Sequence, residues 1–578
     1  MSLVFEIQLL LALLFIAIAA PRLGLRAVRP VEKLLGRVAR RKWLAVCTVG
    51  VVSLVINVSL GLFVHLPAPA VHDEFCYLLT ADTFAHGRLT NPTHPHWEHF
   101  ESWHTIQQPS YQAKYPPGQG LVLAAGQVVF GHPIAGVWIS LAFACAAVCW
   151  MLQAWLPGRW AFLGALLYEL NMRVCSFWGQ SYWGGAVAMA GGALLFGSLP
   201  RLMKSPRIMH AFTLGLGLLI LANTRPYEGL LASVPAAFVL FRWMLSSAGP
   251  SWSVSLRRIA LPVTGILLAG AICMGYYNVR VTGNPFRMPY QAWADTYVGT
   301  MKTTLWTGAS VTSNKAPTRV IPIVSPDPQT GEPRPSTVPQ DSSSRAVKIT
   351  SMLILKAVRQ WGFYVLPLLT PALLLTVGRF DNRWIRFAAG TTGLVMAAVF
   401  LAGTSGYPHY TAPVAPLIIL LILTGLRHLR LWKWNGRPSG RFFVAALLAA
   451  AVSVFAFALV TEWIPQPYPT VHGWHLNREN IRQKLTATEG QHLVIVHYSP
   501  KHIWYFEWVY NGADIDGSKV VWARDLGRDR NRELIRHFSD HNVWLVHADS
   551  HPPAISRYQN GSARNAQTTR KTSFASSD

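Results

Sequence analysis

Residues 44–66 read LAVCTVGVVSLVINVSLGLFVHL, and residues 67–74 follow as PAPAVHDE. The first stretch carries no charged side chain and matches the roughly 20 apolar residues that cross a bilayer core. Before it lie Arg22, Arg26, Arg29, Lys33, Arg37, Arg40, Arg41 and Lys42, against one acid, Glu32. Basic connectors collect on the cytoplasmic side of membrane proteins. The order basic connector, spanning helix, acid pair therefore sets Asp73 and Glu74 on the outer face.

The rest of the chain repeats the pattern. Of 578 residues, 51% are hydrophobic and 13% charged, against about 25% charged in soluble proteins. The expected fold is an α-helical polytopic membrane protein. Spans are expected at 4–21, 43–65, 133–154, 158–176, 182–199, 208–222, 226–241, 257–277, 352–377, 386–403, 408–426 and 442–460. The stretch 119–130 is apolar but too short to span; crossing there would invert every later basic loop, so it is expected to lie in the interface. The start, 4–21, lacks a basic N-terminal region, which argues against a cleaved signal peptide.

The net charge of +25 has a membrane explanation. Arg201, Lys204 and Arg207, then Arg242, Arg257 and Arg258, then Arg379, Arg383 and Arg386, then Arg427, Arg430, Lys433, Arg437 and Arg441 all fall in short connectors. Positive-inside bias accounts for them, and no nucleic-acid partner is expected. Six Cys show no paired spacing, so neither a disulfide framework nor a thiolate metal site is expected.

Residues 1–460 form the expected transmembrane domain. Its first outer loop, 72–132, is followed by a second at 278–351 whose 310–345 tract is rich in Ser, Thr, Pro and Lys and expected to be mobile. Apolar runs at 493–496, 519–522 and 543–546, with helical patterns at 477–488 and 529–538, predict a small α/β unit over 461–555. A disordered tail, 556–578, is expected after it.

The first outer loop holds the candidate chemistry. Asp73 and Glu74 open a predicted short helix that stops near Gly87; carboxylates there also suit the helix dipole. Around them lie His72, Glu101, Trp103, His104, Tyr111 and Lys114. Flat rings and charged acceptors suit a sugar, so Glu101, Trp103, His104 and Tyr111, with Tyr290 of the second loop, are candidate sugar or acceptor contacts. Glu101 and His104, with His94, Glu98 and His99, also admit a divalent metal, although Pro95 breaks a regular ligand helix.

The loop reads HDEFCYLLTADTFAHGRLTNP (72–92), HFESWH (99–104) and QQPSYQAKYPPGQG (107–120). It resembles the GT-C superfamily of integral-membrane glycosyltransferases, above all bacterial relatives of protein mannosyltransferases and of the lipid A aminoarabinose transferase. Asp73-Glu74 matches the family's acidic motif. Lys114, Pro116 and Pro117 match its Lys-Pro-Pro-like motif, with Tyr115 inserted, and 119–130 falls where the family has a juxtamembrane helix. The resemblance implies a polyprenyl-phosphate-linked sugar donor, membrane-lipid partners and a loop carboxylate as base, Asp73 first, with Glu74 as its alternate or as an acceptor for a sugar hydroxyl. A departing phosphate needs cations; Lys114, Arg225 of the Asn223–Gly229 turn, Arg280 and His409 are the candidates at outer helix ends. The rival expectation is a transporter or flippase of lipid-linked glycans, which would place ionisable groups inside spans or break helices. No such feature stands out in the sequence.

Overall fold

The computed structural model describes residues 3–23, 25–64, 66–298, 321, 325, 345–365, 367–402, 406–463 and 473–559. Most of the 310–345 tract and the tail beyond 559 lie outside the described residues.

The chain is a polytopic membrane protein built mainly of helices. Seven described helices are long and apolar enough to cross a bilayer: Lys42–Phe63, Pro133–Trp155, Ala186–Lys204, Trp252–Thr282, Arg383–Leu401, Pro408–Leu429 and Ser439–Thr461. The other five expected spans are shorter, broken or more polar. Phe5–Ala19 and Ile208–Ala222 are short apolar helices, and Pro226–Met244 carries Glu228 and Arg242 near its ends. The expected straight span 352–377 is two helices, Ile349–Tyr364 and Pro367–Arg379, bent by 80°; proline at 367 and at 371 cannot continue a regular ladder.

Helices Ala186–Lys204 and Pro408–Leu429 are the central pair, each largely buried, whereas Trp252–Thr282 exposes nearly all of its apolar surface, as a lipid-facing helix does. Small residues let the central backbones approach. A Cβ on Gly192 would lie 1.9 Å from the Pro413 carbonyl oxygen, the close contact that glycine permits between membrane helices.

The basic connectors gather at one end. Arg430 and Arg441 both pair with Glu32, at 3.0 and 3.1 Å, joining the first connector to the last. Asp73 lies at the other end. There, helix Pro117–Phe130 packs on helix His72–Ala85, which agrees with its expected non-spanning place.

The expected span 158–176 starts at the basic end, where a Cβ on Gly158 would meet the Ala39 carbonyl at 3.0 Å. It ends near Tyr182, whose backbone N–H reaches Glu74. In between, helix Gly158–Glu169 stops at Leu170 and resumes at Met172, passing into a π-turn over Cys175–Gly179. Glu169 is fully buried at the break, taking hydrogen bonds from Asn57 at 3.3 Å and the Cys145 thiol at 2.8 Å. This corrects the expectation that the bundle holds no ionisable group and no broken helix. The break falls where Glu169, Asn171 and Arg173 alternate with apolar residues inside an otherwise apolar run.

The C-terminal unit matches its predicted elements and adds one. A short pair, β1 Thr105–Ile106 and β2 Gln112–Ala113, belongs to the first loop. The terminal sheet holds β3 His492–His497, β4 Val520–Arg524, β5 Asn542–His547 and β6 Ala554–Arg557 in the order β4-β3-β5-β6. Neighbours of β3 are parallel, and β6 closes the edge antiparallel to β5. The unit therefore runs past the expected boundary at 555.

Period-2 alternation sorts its core. Leu493, Ile495, Val521 and Ala523 pack with Leu79, Phe100 and Leu534, while Val494, Val496, Trp522 and Val546 pack with Phe75, Trp474 and Ile481. Both faces are covered, as parallel sheets require, and the first loop supplies part of each cover. A buried Arg524–Glu507 ion pair, with Glu507 also taking the Tyr498 hydroxyl, locks the unit further.

Candidate active site

The helix His72–Ala85 presents two adjacent carboxylates in different directions, because successive helical positions turn by about 100°. Glu74 points inward and is 4% exposed. Its Oε2 accepts the Ala70 N–H and its Oε1 the Tyr182 N–H, both at 2.8 Å. Burial pushes its carboxyl up to about 7 against those hydrogen bonds. Both oxygens are engaged by backbone, so Glu74 pins the start of the helix to the 181–183 turn rather than facing a substrate. Glu74→Gln presents an amide N–H₂ to one of those backbone donors. It is expected to cost about 1–3 kcal/mol, read as a lowered melting temperature, with activity per folded molecule retained.

Asp73 faces another way, into a polar group. Its Oδ1 accepts from the Tyr115 hydroxyl and from His104 Nδ1 at 3.1 Å, and the Tyr115 hydroxyl lies 2.9 Å from that same nitrogen. Among the described residues Oδ2 takes no hydrogen bond. Burial alone would raise the Asp73 carboxyl; the His104 hydrogen bond and the Lys114 charge outweigh it and hold it well below the usual carboxylate range. His104 is itself pulled down to about 4, first by burial and then by Lys114. Its backbone is left-handed, φ 68°, a costly conformation for a non-glycine residue and one that clusters at functional sites.

Lys114 is 5% exposed and boxed by aromatics. Its Nζ lies 3.5 Å from the Trp293 ring centre, 4.9 Å from Tyr290 and 5.3 Å from Tyr115. Burial lowers the ammonium to about 7, with Asp73 acting the other way. Arg225 lies over the Tyr410 ring at 5.0 Å, and its charge and that of Asp73 are each felt at Tyr77 and Tyr410. His409 is fully buried against Trp183, at 4.5 Å between ring centres, and neither ring nitrogen has a hydrogen-bond partner among the described residues.

The expected site residues divide accordingly. Asp73, His104, Trp103, Lys114, Tyr290, Arg225 and His409 come together. Glu101 and Tyr111 do not: Glu101 accepts the Tyr297 hydroxyl at 3.0 Å, and Tyr111 donates to the Asn511 carbonyl at 3.2 Å, both buried in packing. Arg280 is exposed, and among the described residues no contact joins it to this group.

Sequence reasoning missed the cover supplied by the C-terminal unit. Trp504 stacks on His72 at 5.5 Å and 5°, and lies 5.2 Å from Trp103. The Tyr510 hydroxyl is 2.5 Å from His72 Nδ1 and donates to the Trp103 carbonyl. Arg359, over the Tyr407 ring at 4.7 Å, is a further cation that was absorbed into an expected span.

The chain is similar to several solved membrane-protein structures. ArnT from Cupriavidus metallidurans, in its apo state, is 13% identical with a TM-score of 0.48, covering 90% of this chain and 93% of that one. Its undecaprenyl-phosphate-bound form gives 13% and 0.47, covering 87% and 92%. The Archaeoglobus fulgidus oligosaccharyltransferase tethered to an acceptor peptide gives 12% and 0.45, covering 86% and 68%. No protein-family model and no curated protein matches the sequence.

The divalent-metal expectation meets a different set of residues. His94, Asp516 and His537, rather than Glu101 and His104, are the described side chains whose ligand atoms converge. His94 Nδ1 accepts the His96 backbone N–H at 2.9 Å. The ring proton of neutral His94 is then on Nε2, which donates to Asp516 at 3.0 Å. A metal ligand needs that lone pair free, so this set fits a hydrogen-bonded clasp between loop and C-terminal unit better than a metal centre.

Proposed function

We propose that the chain is a glycosyltransferase that moves a sugar from a polyprenyl-phosphate donor to a hydroxyl of a lipid, glycan or protein acceptor. By charge bias the site faces outward from a bacterial cytoplasmic membrane. The observation that carries this reading is Asp73: ionised, held by Tyr115 and His104, with Oδ2 open, and flanked by Lys114 and Arg225 at the end of the membrane bundle.

The chemistry follows from that arrangement. The acceptor oxygen attacks the anomeric carbon, the carbon–oxygen bond to phosphate breaks, and polyprenyl phosphate leaves with the electron pair. Asp73 Oδ2 receives the acceptor proton. A strongly acidic carboxyl is a weak base, so the proton moves late, when the anomeric centre already carries oxocarbenium-like charge. An anion at that point also stabilises the developing cation. Lys114 and Arg225, with Arg359 at the rim, supply positive charge for the leaving phosphate. Trp103, Trp504 and Tyr290 offer rings for sugar or acceptor. Glu169 takes its hydrogen bonds inside the bundle, away from this group, and carries no part of the reaction.

A deletion strain is the direct test. It is expected to accumulate one polyprenyl-phosphate sugar and to lose that sugar from a surface lipid, glycan or protein, both read by mass spectrometry. Unchanged pools and unchanged surface glycans would refute the reading. A second test addresses the base. His104→Ala removes a hydrogen bond that keeps the Asp73 carboxyl low, so that pKa rises. Because Asp73 is needed ionised, activity present above its pKa is then lost at a higher pH on acidification. The acid limb of the pH–rate profile is expected to move upward; an unmoved limb would exclude His104 as the group holding Asp73.

A further inference from the structure

A cavity of about 1300 Å³ lies not at Asp73 but at the other end of the bundle. The helices Pro133–Trp155, Ala186–Lys204, Pro226–Met244 and Pro408–Leu429 each finish on this cavity, the last two starting next to Arg225 and at His409, and Arg383–Leu401 begins on it. Lys204, Arg242, Arg379, Arg383, Arg427 and Arg430 line it, with Asp381 as the lining acid. Arg430 is paired with Glu32 at 3.0 Å, and among the described residues none of the other five is paired with a carboxylate.

Positive-inside bias explains basic residues in short connectors, but not their convergence on one concavity. Like charges drawn around a common space repel; Lys204, Arg242, Arg379 and Arg383 are exposed and Arg427 is partly buried. The usual remedy is an acid in the same space, as Glu32 provides for Arg430 of this lining and for Arg441. Among the described residues no comparable acid meets the other five cations, and the space is large enough for a headgroup. Its walls carry Trp155, Trp160, Trp243 and Trp384, rings that sit between apolar chains and a polar surface. His428, also on the lining, has a buried Nδ1 with no hydrogen-bond partner among the described residues. Guanidinium groups hold phosphate oxygens through two parallel hydrogen bonds, and basic pockets between membrane helices take anionic headgroups.

We propose that this cavity binds the phosphate of an anionic lipid headgroup in the leaflet opposite the transfer site. The inference does not depend on the transfer reaction. It is tested with the full-length protein in detergent, by native mass spectrometry against phosphatidylglycerol and phosphatidylcholine. Wild type is expected to retain phosphatidylglycerol and not phosphatidylcholine. The triple variant Arg242→Gln, Arg383→Gln, Arg427→Gln is expected to bind phosphatidylglycerol roughly 100-fold more weakly. Equal retention of the two lipids by wild type, or wild-type affinity in the triple variant, would overturn the proposal. Should the triple variant not fold, Arg242→Gln alone, at an exposed position, is expected to weaken binding about fivefold, and unchanged affinity there would overturn it equally. Glycerol 1-phosphate is the remaining arm. No competition by it supports the lipid, whereas displacement of phosphatidylglycerol at matching concentrations would overturn the lipid assignment in favour of a soluble phosphate.

Discussion

Asp73→Asn is expected to lower turnover by about 10²–10⁴-fold, the usual contribution of a positioned base, while leaving membrane insertion and thermal stability near wild type. Asparagine keeps the shape of the side chain and one oxygen for the Tyr115 hydroxyl. It removes the anion, and with it both the proton acceptor and the charge facing the anomeric centre. Asp73→Glu keeps the anion but moves it by one methylene, so it is expected to retain a small fraction of activity. Donor binding separates the roles: it depends on the cations, so the donor KM of Asp73→Asn is expected to change far less than its turnover. Transfer assayed in membranes of the deletion strain, complemented by each variant, reads this directly. Full transfer by Asp73→Asn would remove Asp73 from the reaction.

What the sequence disclosed and what it withheld divide along physical lines. The Lys42–Phe63 span and the interfacial Pro117–Phe130 helix were legible because length and hydropathy alone decide whether a segment crosses a bilayer. The strands at 493–496, 519–522 and 543–546 were legible because a sheet covered on both faces leaves unbroken apolar runs. The edge strand Ala554–Arg557 was not, since its residues are exposed and nothing apolar marks it.

At the site, the sequence named Asp73 and Glu74 but could not say which one serves. That depends on helix phase, and phase is fixed by distant partners: the Tyr182 N–H takes Glu74, leaving Asp73 to Tyr115 and His104. The same holds for Tyr111 and Glu101. Their residue types suit a sugar, yet Tyr111 is occupied by Asn511 of the C-terminal unit, as Arg524 of that unit occupies the Glu101 carbonyl. Trp504 reaches His72 across more than 400 positions of sequence, and no local pattern could announce it.

Lys114 carries the second large effect. Its ammonium stands in a box of Trp293, Tyr290 and Tyr115, where ring faces favour the cation but burial opposes it more strongly, bringing the group to about 7. The sign follows. The charged form is held below that value and lost as pH rises through it. A donor phosphate needs the charge, so the donor KM is expected to be flat below pH 7 and to rise about tenfold per unit above it. Lys114→Arg places a guanidinium that stays charged; its KM is expected to lose that dependence, even where its bulkier head fits the box less well. Lys114→Met keeps length and apolar contact and removes the charge altogether. Losing one stabilising group at a developing anion costs about 10²–10³-fold in turnover, and that is the loss expected at every pH. A Lys114→Met variant that uses donor as wild type does would leave Arg225 and Arg359 to hold the phosphate. A wild-type KM unchanged between pH 6 and 9 would show that the bound donor, not the aromatic box, sets the charge of Lys114.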